Sequence, residues 1–153
     1  MYLKNCWYVA GWSKDYGRTL KAEKYLGENI VIYRKKDGTP AALEDACPHR
    51  KLPLSMGTLN EDSIICGYHG LTFNEKGQCS DSPTQRGMMP RRALVKSYPV
   101  VDKYRLLWIW MGNPELADPD KIFPIDNFDN PTWGYTDGGV MDINCNYLWV
   151  CDN

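Results

Sequence analysis

The chain has 153 residues, 43% of them hydrophobic and 24% charged, with a formal net charge of −1. That length suits one domain with the start of a second, and the near-neutral charge excludes the basic footprint needed to hold nucleic acid or an anionic membrane. No apolar run is long enough to span a bilayer and no apolar signal core follows Met1, so a cytoplasmic protein is expected. Taken in chain order, residues 6–10 are aromatic and β-branched and predict a strand ending at Gly11. Residues 13–24 are polar without a clear period and read as loop or a short turn. Ile30, Val31, Ile32 and Tyr33 mark a strand over 29–34, and Lys36-Asp37-Gly38 turns the chain so that 41–44 return antiparallel. This hairpin runs straight into Cys47. Residues 63–66 form a short strand that delivers Cys66, 71–73 lead away from it, and Asn74-Glu75-Lys76-Gly77 turns back toward Gln78 and Cys79.

Residues 80–92, rich in Ser, Pro, Gly and Arg, read as an irregular covering loop in which Pro83 and Pro90 act as punctuation, with packing against the group held by the two Cys/His loops as the lesser reading. Residues 93–102 and 105–111 predict two strands, with Trp108 and Trp110 sharing one face of the second as core. After Gly112 the composition changes. Asn113-Pro114 and Asp118-Pro119-Asp120 punctuate residues 114–131, which read as a linker or short helical turns. Residues 141–151 alternate, with Met141, Ile143, Cys145, Tyr147, Trp149 and Cys151 on one side, and predict a strand with no later strand to pair with. Of the six cysteines, Cys6, Cys79, Cys145 and Cys151 are expected to be small buried hydrophobes, since a cytosolic chain of this size can bury a core without disulfides.

The chemistry concentrates in Cys47-Pro48-His49-Arg50 and Cys66-Gly67-Tyr68-His69, one Cys and one His on each of two loops. In the first loop the pair is two apart, so an extended backbone puts both side chains on one face. In the second it is three apart, and Gly67 is expected to relax the backbone into a tight turn. Two thiolates and two imidazoles can hold either a tetrahedral zinc or a [2Fe-2S] cluster. Structural zinc sites usually take Cys-Cys and His-His pairs, whereas each loop here mixes the two ligand types. A dinuclear cluster accounts for the mixture if the cysteines meet on one iron and the histidines on the other. Arg50 and Lys51 are read as solvated surface, with guidance of an acidic partner or grip on a neighbouring subunit as the lesser reading.

These residues resemble the Rieske iron-sulfur proteins, whose signature is Cys-x-His followed by Cys-x-x-His. The likeness extends to Pro53-Leu54-Ser55-Met56-Gly57 and Gly70-Leu71-Thr72-Phe73. Respiratory and photosynthetic members carry an additional Cys in each loop, forming a disulfide; Leu52 and Tyr68 stand there instead, as in the oxygenase and ferredoxin branches. The stretches 3–12, 26–34 and 107–112 are similar to the amino-terminal part of Rieske non-haem iron oxygenase subunits, above all the vanillate O-demethylase type. The resemblance implies a mainly β fold, a Rieske-type antiparallel β-sandwich with an inserted two-loop cluster-binding subdomain. It implies a [2Fe-2S] cluster on Cys47, His49, Cys66 and His69, a Rieske domain over 1–112, and a linker with the first strand of a catalytic domain over 113–153.

In that family oxygen is activated at a mononuclear Fe(II) held by two His and one carboxylate. This chain has two histidines, both assigned to the cluster, and matches the motif that leads to the iron ligands only at Asp152 and Asn153. A fragment or truncated product is therefore expected, without oxygenase activity of its own. It would take electrons from a flavin and iron-sulfur reductase, and the intact subunit would be a homotrimer acting on a methoxylated aromatic acid through the missing domain. A stand-alone Rieske ferredoxin and a zinc-stabilised binding module are the alternatives.

Overall fold

The computed structural model describes residues 2–83, 93–128, 130–136 and 138–152. The strands, in order, are β1 (Cys6–Trp12), β2 (Lys21–Tyr25), β3 (Glu28–Arg34), β4 (Pro40–Glu44), β5 (Thr58–Asn60), β6 (Ser63–Ile65), β7 (Thr72–Phe73), β8 (Cys79–Asp81), β9 (Ser97–Tyr98), β10 (Val100–Lys103) and β11 (Leu106–Met111). They form three antiparallel sheets in the orders β1-β11-β10, β2-β3-β4-β9 and β5-β6-β7-β8. Among the described residues no helix is long and apolar enough to cross a membrane.

The uninterrupted run Ile30-Val31-Ile32-Tyr33 explains the layering, because a strand apolar on both faces must be covered on both. Ile30, Ile32 and Ala42 pack with Leu107, Ile109 and Met111 of the β1-β11-β10 sheet. The opposite face, Val31, Tyr33, Ala41 and Leu43, packs with Leu54, Ile64, Leu71, Phe73 and the two loop cysteines Cys47 and Cys66. The β2-β3-β4-β9 sheet is thus the middle layer, with the sandwich partner on one side and the two-loop subdomain on the other. Arg34 bolts the first pair together. Its guanidinium donates to both Asp102 carboxylate oxygens at 2.7 and 2.9 Å and to Ser13 Oγ and the Ser13, Tyr16 and Gly38 carbonyls. The subdomain is fastened by Tyr33, whose hydroxyl donates to the Asp62 carbonyl at 2.9 Å.

Three expectations need correction. Residues 13–24 are not all loop, because β2 pairs with β3 along its length; an edge strand of Lys, Ala and Glu has little β propensity, and the pairing comes from its partner. The strand read over 93–102 is two, broken at Pro99, which has no N–H for a ladder and lets β9 pair with β4 while β10 pairs with β11. Residues 114–122 take the short helical turns that are one of the two readings of this stretch: after two 3-10 turns, Pro114–Leu116 and Pro119–Lys121, Ile122 is buried, and the Trp7 indole donates to the Asp118 carbonyl at 2.8 Å. Finally, 141–151 is not a strand. Its last part is a short helix, α1 (Tyr147–Cys151), whose Asn146 cap accepts from the Leu148 N–H. An alternating pattern makes a strand only beside a partner, and a local cap satisfies the backbone without one. Cys145 and Cys151 are accordingly exposed, not buried. Pro90 lies outside the described residues.

Candidate metal centre

Each candidate loop grows out of a buried strand, and the two close by the same backbone bonds. In the first, the Cys47 N–H donates to the Leu52 carbonyl at 2.8 Å and the Lys51 N–H donates back to the Cys47 carbonyl at 2.8 Å. In the second, the Cys66 N–H donates to the Leu71 carbonyl at 2.8 Å and the Gly70 N–H to the Cys66 carbonyl at 3.1 Å. Both loops therefore begin at a cysteine and close four and five residues later. The residue four on is left-handed in each, Lys51 at φ 59° and Gly70 at φ 75°. The freedom expected of Gly67 belongs to Gly70. Gly67 has no such φ, and its bare Cα serves close approach: a Cβ there would sit 3.1 Å from the Met56 carbonyl oxygen.

The loops are pressed together by the segment between them. A Cβ on Gly57 would stand 2.2 Å from the Ile65 carbonyl oxygen, so only glycine lets this chain lie against the strand that carries Cys66. The 3-10 turn Leu54–Met56 before it is tied to the first loop by Asp45, a buried carboxylate that accepts from the Ser55 N–H at 2.7 Å and the Ser55 hydroxyl at 2.6 Å. Asp45 and Ser55 were not among the sequence candidates, and a single Asp ahead of the motif gives no signal that it will be buried. Pro83 does more than punctuate, since its Cγ lies 2.8 Å from where a Cβ on Gly70 would be.

The structure brings the four candidate residues together as two pairs, Cys47 with Cys66 and His49 with His69. The cysteines are inward, 2% and 3% exposed, and part of the core. Burial pushes the Cys47 thiol up, and the neighbouring Cys66 thiol pushes it further, so positive charge is needed to draw out the thiolate. The imidazoles lie outward, with ring centroids 4.7 Å apart. His49 is exposed, and His69 is half-buried beside Tyr68, whose tilted ring has its centroid 3.9 Å from that of the imidazole. Arg50 reaches over the far loop, its guanidinium 5.8 Å from the Tyr68 ring. Among the described residues, no three His, Cys, Asp or Glu side chains gather about one point as a single metal ion would require. Two pairs, one of sulfur and one of nitrogen, are the arrangement instead. Cys6 and Cys79 are half-buried and lie outside this group.

Comparison with known proteins bears on this arrangement. A family model described as the Rieske [2Fe-2S] domain matches residues 6–99. The putative toluene-4-sulfonate monooxygenase system iron-sulfur subunit of Comamonas testosteroni is 43% identical over all of this chain and 44% of its own length. The vanillate O-demethylase oxygenase subunit of a Pseudomonas species (strain HR199) is 40% identical over all of this chain and 42% of its own. The crystal structure of dicamba monooxygenase bound to dicamba superimposes with a TM-score of 0.92 at 39% identity, covering 99% of this chain and 45% of that one. The chain thus spans less than half the length of these relatives.

Proposed function

Since the chain belongs to the Rieske [2Fe-2S] domain family, we propose that Cys47, His49, Cys66 and His69 hold the cluster and that this is the electron-accepting part of an aromatic-compound oxygenase subunit. The observation that carries the assignment is the cradle: two buried thiols beneath two imidazoles, with His69 Nδ1 buried and without a hydrogen-bond partner. Buried polar nitrogens in folded proteins are paired, and a bond to iron is the partner this atom lacks. The donor set fits two bridged irons, and when bound the cluster supplies reversible one-electron transfer.

The chain's own residues do the rest. Cys47 and Cys66 set the group at the edge of the core, where water is scarce, while His49 and His69 face outward and offer electrons the shortest way in and out. Tyr68 shields one imidazole and leaves the other open. Asp45, Ser55 and Gly57 hold the two loops at a fixed separation. We assign residues 1–112 to this unit, because β11 ends at Met111. Residues 113–153 are the passage toward a catalytic domain, which would supply the mononuclear iron and the aromatic substrate. A flavin and iron-sulfur reductase is the expected donor, a homotrimer the expected state of the full subunit, and the cytoplasm its place.

The test is anaerobic purification of the 153-residue chain. The expected product is coloured, carries two irons and two sulfides per chain, and on reduction gives the electron paramagnetic resonance signal of a histidine-ligated [2Fe-2S] centre. Its potential should fall within roughly −150 to +300 mV. A colourless zinc protein, or a cluster that survives unchanged when His49 and His69 are both replaced by alanine, overturns the assignment.

A further inference from the structure

Among the described residues two buried side-chain polar atoms have no hydrogen-bond partner, His69 Nδ1 and Ser82 Oγ. The first is accounted for by the cluster; the second belongs to no feature discussed so far. Ser82 is fully buried, and its backbone N–H is already satisfied by Asp81 Oδ1 at 2.8 Å, so the hydroxyl alone is left over.

Its place follows from strand register. Asp81 pairs antiparallel with Thr72, so one step further Ser82 falls opposite Leu71 and Pro83 opposite Gly70. The contact of Pro83 with Gly70 shows that the register does continue. Leu71 and Gly70 are the two residues that close the Cys66 loop. Along 81–83 the side chains alternate exposed, buried, exposed, which turns Ser82 inward, toward that loop, and leaves Asp81 and Pro83 outside. A hydroxyl buried in this position needs an acceptor.

Resting on the cluster assignment above, we propose that the Ser82 hydroxyl donates a hydrogen bond to a sulfur of the [2Fe-2S] group on the Cys66 side, either Cys66 Sγ or a bridging sulfide. An O–H donor aimed at sulfur favours the reduced form, which carries one more negative charge, over the oxidised form. Ser82 is thereby a determinant of how readily the centre takes an electron, supplied from outside the second loop by the segment that covers it.

The test compares the intact 153-residue chain with S82A, a smaller side chain that the site can accommodate. Both are titrated at an electrode, and resonance Raman spectra are recorded in H2O and D2O. The expected result is that S82A keeps its irons and sulfides while its reduction equilibrium moves about tenfold toward the oxidised form. For one electron that is a fall of about 59 mV. S82A should also lose part of the deuterium shift of the iron-sulfur bands. An S82A potential and deuterium shift equal to those of the parent overturn the role of Ser82 and leave the cluster assignment standing. A parent protein without a histidine-ligated cluster overturns both.

Discussion

Lys51 and Gly70 occupy the same position in two loops closed by the same hydrogen bonds, yet one is lysine and the other glycine. Both are left-handed, a conformation that costs an L residue about 1–2 kcal/mol and glycine almost nothing. Opposite substitutions should therefore have opposite effects. In G70A the strain appears, and the new methyl meets Pro83 Cγ at 2.8 Å, so the covering segment must shift. Overpacking of this kind costs about 1–3 kcal/mol, and the stiffer unfolded chain returns about 0.4–1. The expected net loss is about 1–4.5 kcal/mol, or a Tm lower by about 2–18 °C for a chain of this size. In K51G the strain is removed and the unfolded chain gains freedom, for a net change between about zero and 1.5 kcal/mol of added stability. Urea unfolding of the purified protein, followed by tryptophan fluorescence and by the visible band together, measures both. A G70A protein as stable as the parent, or a K51G protein destabilised by more than about 1 kcal/mol, would show that this position does not carry the loop strain.

Two further substitutions probe how the sandwich is held. Burial alone would raise the pKa of Glu28, but the ammonium groups of Lys4 and Lys96 and the Tyr98 hydroxyl outweigh it and pull the carboxyl from 4.5 to about 2. A group so depressed in the folded state contributes stability above its unfolded value, and that contribution is lost as pH falls from about 4.5 through 2. The Glu28 side chain is 30% exposed, so the roughly 3 kcal/mol ceiling set by the shift is screened to about 1–2. The difference in stability between parent and E28Q should vanish at low pH, and a difference independent of pH between 6 and 3 would refute the linkage. Replacing Arg34 by alanine removes the fork shared among Asp102, Ser13, Tyr16 and Gly38, and should cost about 2–4 kcal/mol. R34K should recover less than half of that, because an ammonium cannot make the bidentate contact; full recovery in urea unfolding would mean that charge alone matters.

The β3–β4 hairpin and the ligand pattern were legible in the sequence because each depends on neighbours along the chain. An apolar run, an Asp-Gly turn and a Cys-x-His motif are local signals. What stayed hidden depends on partners far away in sequence. Strand β2 exists because β3 is beside it, and the break at Pro99 matters because two different sheets wait on its two sides. Asp45 is buried because Ser55 arrives ten residues later to meet it. The alternation over 141–151 was read correctly as a pattern and wrongly as a strand, for the same reason in reverse, since the described residues bring no sheet edge alongside it.

The offset between the two histidines makes their surroundings differ. Because both loops close through the same pair of backbone bonds, the cysteine occupies an equivalent place at the base of each. A histidine two residues on and a histidine three residues on must then sit at different points of the tip. The structure bears this out: His49 is exposed, while His69 lies half-buried with Nδ1 turned inward and Tyr68 against its face. The spacing difference in the motif therefore makes the two imidazoles unequal, one open to whatever approaches the surface and one enclosed by its own loop. On the proposed cluster assignment, the exposed His49 is the ring that a partner at the surface would meet first.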